Sequence, residues 1–199
     1  MTLALGAAAV LATFLVGSIP FGYLIGKVAF RTDIRREGSG NIGAMNALRT
    51  LGKRGAASVL VLDALKGFVP AFIAVRAGMP DLAACVAAAA VLGHCFSPWL
   101  GWRGGKGVAT SFGAVFAFSW LAGLLTAAAW AAGAGTTRYS SVGSMLGSVL
   151  TPVFVWFTTR SPAETIYAGL AALLVLYLHR GNIARLRAGT ERAIGADPA

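Results

Sequence analysis

Apolar segments about as long as a bilayer is thick take up most of this 199-residue sequence. A helix that crosses the hydrocarbon core of a membrane needs about 20 predominantly apolar residues. With 57% hydrophobic and only 12% charged residues, the chain has too few charged side chains to cover a water-soluble domain. We therefore expect an all-α integral membrane protein. The clear candidates for crossings are 3–26, 56–78, 82–100, 142–158 and 162–179.

The stretch 107–135 is ambiguous, since its 29 residues are long for one crossing and short for two. Cytoplasmic loops of membrane proteins are enriched in Lys and Arg. Two crossings of roughly 13 residues each would leave 14 basic residues on one side and only Arg76 and Arg160 on the other. One crossing would divide the basic residues 10 against 6. We therefore predict a seven-transmembrane-helix bundle with the N-terminus outside and the C-terminus in the cytoplasm.

The chain reads as one transmembrane domain over residues 1–199, because no linker or repeat divides it. Its first apolar segment has no basic n-region and no A-x-A site after Pro20, so we expect a retained helix and not a cleaved signal peptide. Cys85 and Cys95 are ten positions apart in one apolar run. In a helix they would lie about 15 Å apart, which is too far for a disulfide, so two free thiols are expected.

A glycine-rich polar loop follows the first apolar segment and is rich in groups that bind anions. The glycines at 38, 40 and 43 allow a tight backbone whose amides turn inward. Ser39, Asn41 and Asn46 add hydrogen-bonding side chains, and Arg49 can bind a phosphate through two parallel bonds. A flexible turn with solvated charges explains such a loop equally well when the loop is taken alone.

A second polar segment contains Gly104, Gly105 and Lys106 immediately before an apolar run. It resembles a phosphate loop, but G-x-x-x-x-G-K-[ST] is not satisfied because Leu100 and Gly107 stand at the first and last positions. Nucleotide hydrolysis is therefore disfavoured. A turn that opens a helix still favours an anion through the helix amides and dipole. A lysine that extends to the membrane interface is the alternative for Lys106.

Ionisable and amide residues also occur within or at the ends of the apolar runs. Asp63 and Lys66 are three positions apart on one helix face; a structural ion pair is favoured slightly over a substrate contact. For His94 we favour a satisfied buried histidine. His179 and Asn182, three apart at the end of the last run, can point the same way. Under the seven-helix topology the two glycine-rich segments and this end meet at one membrane face, which predicts an anion site beside lipid.

These motifs resemble the bacterial membrane-embedded acyl-phosphate:glycerol-3-phosphate acyltransferase family over nearly the whole chain. One departure stands in the first loop, where Met45 replaces the usual threonine and removes a hydroxyl. The matching segments are Ser18-Ile19-Pro20-Phe21-Gly22-Tyr23, the Ser-Gly-Asn-Ile-Gly-Ala-x-Asn loop at 39–46, Asp63-x-x-Lys66-Gly67, Gly93-His94, Gly104-Gly105-Lys106-Gly107-Val108-Ala109-Thr110 and His-Arg-x-Asn-Ile-x-Arg-Leu-x-x-Gly-Thr-Glu at 179–191.

The resemblance implies transfer of an acyl group from acyl phosphate to the 1-hydroxyl of glycerol-3-phosphate, giving lysophosphatidic acid and phosphate. It implies a multi-pass protein of the bacterial inner (plasma) membrane, with membrane lipid and these two substrates as partners. No cofactor, metal or nucleic acid is expected. An organic-phosphate transporter is the alternative, although the helices offer little polar path. The implied catalytic residues are Ser39, Lys106, His179 and Asn182, and the implied substrate-binding residues are Asn41, Gly43, Asn46, Arg49, Gly104 and Gly105.

Overall fold

The computed structural model describes residues 2–195, which form helices and turns without a β-strand. Several apolar helices pack side by side, and short helices and polar turns connect them. The α-helices are α1 (Leu3–Gly17), α2 (Phe21–Ala29), α3 (Ala44–Arg76), α4 (Pro80–Cys95), α5 (Val108–Phe118), α6 (Trp120–Thr137), α7 (Ser140–Thr159), α8 (Pro162–Leu178) and α9 (Arg180–Arg187), with 3₁₀ turns at Ile34–Arg36 and Pro98–Leu100.

Pro20 divides the first apolar segment into α1 and α2. Proline has no backbone N–H and disfavours a helical conformation in the residue before it. The break is tied to the loop after α4, because Trp99 Nε1 donates to Ser18 Oγ at 2.7 Å and Ser97 Oγ donates to the Ser18 carbonyl at 2.7 Å. The predicted single helix over 3–26 is therefore two helices joined by an anchored bend.

α3 begins twelve residues earlier than the predicted crossing 56–78. Gly52 has a φ of 73°, a left-handed conformation that glycine adopts at little cost, and it bends the helix away from its first two turns. Those turns carry part of the polar, glycine-rich segment that follows the first apolar run. The candidate site residues Asn46 and Arg49 are therefore helical.

The ambiguous stretch 107–135 contains two helices that meet at Ser119, which is in an extended conformation. Ser119 caps α6 by accepting a hydrogen bond from the amide of Ala122 at 3.3 Å. α5 has only 11 residues, whereas α6 has 18. α5 packs closely on α3, because a side chain at Gly67 would overlap the backbone of Thr110 and one at Gly113 would overlap that of Ala64.

Four segments within residues 2–195 are long and apolar enough to cross a membrane, namely Leu3–Ala29, Ala44–Arg76, Pro80–Leu100 and Ser140–Thr159. α8 and α9, which meet at an angle of 52°, make a fifth if they are counted as one bent span. Helix length and composition thus support four or five crossings. The seven predicted crossings and the orientation of the termini stay predictions.

Candidate active site

A cavity of about 660 Å³ lies between the first turns of α3, the start of α5, α7 and the junction of α8 with α9. It brings together eight of the ten residues proposed from sequence. Gly104 instead lines a neighbouring cavity, and Gly105 is buried within the turn that precedes α5. The eight residues are Ser39, Asn41, Gly43, Asn46, Arg49, Lys106, His179 and Asn182.

Asn46 organises the first glycine-rich loop from inside. Its side chain is only 2% exposed and accepts a hydrogen bond from the amide of Ser39 at 2.7 Å. The side-chain Nδ2 of Asn46 donates to the carbonyls of Ile34 at 2.9 Å and Glu37 at 3.2 Å. These bonds use most of the hydrogen-bonding capacity of the Asn46 side chain. They hold Ser39 in position at the cavity wall.

Asn41 and Arg49 reach the cavity from either side of this loop. Asn41 Oδ1 accepts a hydrogen bond from the amide of Gly43 at 2.8 Å, which shapes the entry to α3. Arg49 lies on the first turns of α3, and its Nη2 donates to the carbonyl of Arg192 at 3.3 Å. The guanidinium therefore joins the start of α3 to the polar segment after α9.

The turn that contains Lys106 is bonded to the end of α4. The amide of Gly104 donates to the Cys95 carbonyl at 2.9 Å, and that of Gly105 donates to the His94 carbonyl at 3.0 Å. These two amides are thus engaged within the protein. Gly107, Val108 and Ala109 at the start of α5 line the cavity, so the helix N-terminus predicted beside Lys106 lies at its wall.

Lys106 donates a hydrogen bond from Nζ to Oδ1 of Asn182. The pKa of Lys106 is lowered to about 8, mainly by burial and also by the positive charges of Arg185 and Arg49, while Glu191 acts in the opposite direction. An ammonium group with this pKa loses its proton easily, and a neighbouring anion stabilises its charged form. The position therefore suits a phosphate group.

Glu191 completes the site, although the sequence analysis gave it no role. It accepts hydrogen bonds from Asn182 Nδ2 at 2.6 Å, Ser141 Oγ at 2.8 Å and Arg185 Nε at 2.8 Å. Burial tends to raise its pKa, but these hydrogen bonds outweigh burial and lower the pKa below its usual value. The signal was present, because this acid ends the Gly-Thr-Glu motif within an otherwise basic segment.

His179 lies at the junction of α8 and α9 with a 4% exposed side chain. Its Nδ1 is 2.8 Å from the carbonyl oxygen of Val175. A carbonyl oxygen only accepts hydrogen bonds, so Nδ1 carries the proton and a neutral ring presents Nε2 as an acceptor. His179 is therefore arranged to accept a hydrogen bond from a hydroxyl in the cavity.

The far part of the cavity is apolar. Its wall comes from α3, α5 and α6 and lies away from Lys106 along the helices. Leu60, Phe112, Phe116, Ala127 and Trp130 line it. The cavity thus has a basic end and an apolar end. This shape and polarity suit a molecule with a charged head and a long hydrocarbon chain.

A second cavity of about 630 Å³ is strongly basic and adjoins the first. Arg35, Arg36 and Arg103 line it. The two cavities share a wall made of Ser39, Asn41, Lys106, Asn182 and Arg185. Within residues 2–195 no three His, Cys, Asp or Glu side chains lie together as metal ligands.

The family model described as glycerol-3-phosphate acyltransferase matches residues 7–189. The chain belongs to this family. A glycerol-3-phosphate acyltransferase of Rhodopseudomonas palustris (strain BisB5) is 44% identical over 188 residues, covering 94% of this chain and 95% of the relative. One from Dinoroseobacter shibae is 47% identical over 188 residues, covering 94% and 91%.

Solved structures give the same result for the fold. The chain resembles the crystal structure of PlsY (YgiH), an integral membrane glycerol 3-phosphate acyltransferase, in its glycerol 3-phosphate form, with a TM-score of 0.91, 37% identity and 96% coverage of both chains. The lysophosphatidic acid form gives 0.88 and 36% identity, with 96% and 95% coverage. The family resemblance and the all-helical membrane fold are therefore confirmed, and the transporter alternative is not favoured.

The roles assigned to the ten site residues stay predictions. Met45, the departure from the family pattern, lines the first cavity.

Asp63 and Lys66 form the ion pair that their spacing favours, with 2.7 Å between Nζ and Oδ1. His94 is buried 3.5 Å from the same carboxylate.

Proposed function

We propose that this protein transfers a fatty acyl group from acyl phosphate to the 1-hydroxyl of sn-glycerol-3-phosphate. The products are lysophosphatidic acid and inorganic phosphate, and the reaction is the first acylation step of phospholipid biosynthesis. The cavity that joins Lys106 and the N-terminus of α5 to an apolar space between helices carries this proposal. It fits both the anionic groups and the acyl chain.

The donor needs little activation, because acyl phosphate is a mixed anhydride with a good leaving group. The protein has mainly to position two anions and to stabilise the charge that develops on the carbonyl oxygen. Lys106 and Arg49 bind phosphate, and the loop around Ser39, Asn41 and Gly43 supplies hydrogen bonds to phosphate or oxyanion. Gly104 and Gly105 let the Lys106 turn lie close against α4.

The acceptor binds beside His179 and Asn182. Nε2 of His179 accepts the hydrogen bond of the attacking hydroxyl, and Asn182, held by Glu191, orients the ammonium of Lys106. The hydroxyl oxygen attacks the acyl carbon, the bond to the phosphate oxygen breaks, and the hydroxyl proton passes to the leaving phosphate, either directly or through Nε2 of His179. The acyl chain stays in the apolar part between α3, α5 and α6.

Transfer is direct, without an acyl-enzyme. Ser39 is the obvious nucleophile, but a serine nucleophile needs an adjacent base that is oriented by a third group. The amide of Ser39 is bonded to Asn46, and the loop carries no histidine. A covalent step would also gain little from a donor that is already activated.

The protein works as one domain over 1–199 in the bacterial inner membrane, with seven crossings, the N-terminus outside and the site at the cytoplasmic face. The excess of basic residues in the connecting segments on the site's side supports this orientation. Single cysteines at Gly52 and Gly189 should react with an impermeant thiol reagent only from the cytoplasm, and those at Gly78 and Ser161 only from outside. Labelling of Gly52 and Gly189 from opposite sides would contradict seven crossings.

Purified protein given acyl phosphate and glycerol-3-phosphate should release inorganic phosphate and form lysophosphatidic acid in equal amounts. Omission of the acceptor is the control for donor hydrolysis. Protein in liposomes that moves glycerol-3-phosphate across the bilayer without forming product would instead establish a transporter.

A further inference from the structure

A buried polar chain runs from the α1–α2 bend to the turn of Lys106 and has no part in the mechanism above. Lys66 Nζ donates to the carbonyl of Ile19 at 3.1 Å and pairs with Asp63 at 2.7 Å. Asp63 is 1% exposed and Lys66 is 4% exposed. Ionisable residues at membrane depth are costly and are kept where they have a partner and a task.

His94 links this chain to the active site. Its Nδ1 is 3.5 Å from Oδ1 of Asp63, and its imidazole lies directly beneath the turn, where a Cβ on Gly105 would overlap the ring. The backbone carbonyl of His94 also accepts the Gly105 amide at 3.0 Å. The turn therefore rests on α4 through the backbone bonds to Cys95 and His94 and through one contact with the His94 side chain.

Lys106 directly follows the residue that rests on this ring. We propose that His94 is a positioning residue for Lys106, and that the Asp63–Lys66 pair supplies a charged neighbour 3.5 Å from the imidazole. This inference rests on the proposed function, in which Lys106 binds a substrate phosphate. A displacement of the turn by about 1 Å carries the ammonium out of line with the phosphate, and misplacements of that size reduce rates strongly.

A double-mutant cycle between His94→Ala and Lys106→Ala tests the inference. In the parent protein His94→Ala should raise the KM for glycerol-3-phosphate by about tenfold with a smaller change in kcat. In the Lys106→Ala background it should change the KM less than about twofold, because contacts that act through one group are not additive. Equal losses in both backgrounds, with KM unchanged, would overturn the inference and show a purely structural role.

A second pair of variants tests the contact itself, and its first member, Gly105→Ala, leaves His94 in place. Gly105→Ala places a methyl group against the ring and should lower kcat/KM by about tenfold or more. Adding His94→Ala removes the obstruction, so the double variant should be more active than Gly105→Ala alone. A double variant no better than the single one would contradict the contact.

Gly169→Ala is the matched control, because a Cβ there meets no atom within 4 Å, and its kinetics should equal those of the parent. The parent's own turnover separates the two levels of the argument. If the parent forms no lysophosphatidic acid, the proposed function fails; if it does and the cycle is additive, only the inference about His94 fails.

Discussion

Replacing Glu191 with Gln tests the one site residue that the structure added to the sequence analysis. The carboxylate accepts two hydrogen bonds at Oε1, from Asn182 and Ser141, and one at Oε2, from Arg185. Glutamine keeps one carbonyl oxygen and places an NH₂ group, which only donates, at the other position. If the oxygen stays toward Asn182, the NH₂ group faces the guanidinium of Arg185 and that bond is lost.

The size of the effect follows from the bond to Arg185. Hydrogen bonds to charged groups contribute about 1.5–3 kcal/mol. The Arg185 side chain is 45% exposed, and solvent weakens such a bond, so we take the lower end, about 1.5 kcal/mol, which is about tenfold in rate. Glu191→Gln should therefore reduce kcat/KM by about tenfold. Glu191→Ala should reduce it further, since Asn182 then also loses its acceptor.

The assay is phosphate release by purified protein, with kcat and KM for glycerol-3-phosphate measured separately and the melting temperature recorded beside them. Asp81→Asn is the matched control, because it also removes one negative charge but lies at the opposite end of α4 from His94. Parent-like kinetics in a folded Glu191→Gln protein would refute a role for the bond to Arg185. Parent-like kinetics in a folded Glu191→Ala protein would refute the idea that Glu191 holds Asn182 against Lys106. A lower melting temperature with unchanged kinetics would leave it only a role in stability.

Three further residues give testable outcomes. Lys106→Ala should lower kcat/KM about tenfold or more through loss of a charge-assisted contact, and near-normal kinetics would favour a lysine that only extends to the interface. Because the pKa of Lys106 is lowered to about 8, its charge is lost as the pH rises through that value, so the KM for glycerol-3-phosphate should increase above about pH 8; a KM that stays flat to pH 9.5 would count against Lys106 as the phosphate ligand. Ser39→Ala should keep measurable turnover and sequential initial-rate plots, whereas an acylated Ser39 with a phosphate burst before acceptor is added would overturn direct transfer. Met45→Thr should stay within a few-fold of the parent in kcat/KM, and a large gain would show that the methionine impairs activity.

The sequence predicts most of the helices, because an apolar run long enough to cross a membrane forms a helix in nearly every case. The segments 142–158 and 162–179 agree with α7 and α8 to within two residues at each end. Differences arise where a local backbone choice decides, as at Pro20, which divides the first helix, and at Gly52, which bends α3. Neither residue alone tells whether the chain bends, stops or continues, since packing decides the outcome.

The site was predicted as a set of residue types and not as a network. Lys106 and Asn182 are 76 positions apart, and their contact depends on how the start of α5 meets α9, which no local pattern contains. Asn46 is predicted to bind substrate, and the bond from its side chain to the loop that carries Ser39 is a contact that the sequence does not predict. The sequence does not predict a role for Glu191, because a single acidic residue among arginines is typical of a solvated charge. The role becomes visible only from the hydrogen-bond partners of its two oxygens.

The shortness of α5 has a consequence for where in the bilayer acyl transfer takes place. Its 11 residues span about 16 Å, roughly half of the ~30 Å hydrocarbon core. Lys106 precedes one end of this helix and Ser119 follows the other, so the two cannot reach opposite surfaces. If Ser119 lies near one layer of headgroups, the ammonium lies inside the opposite edge of the hydrocarbon core, deeper than the ester groups of that leaflet. A donor dissolved in the bilayer can then present its anhydride without leaving its own leaflet, whereas the water-soluble acceptor has to descend to meet it.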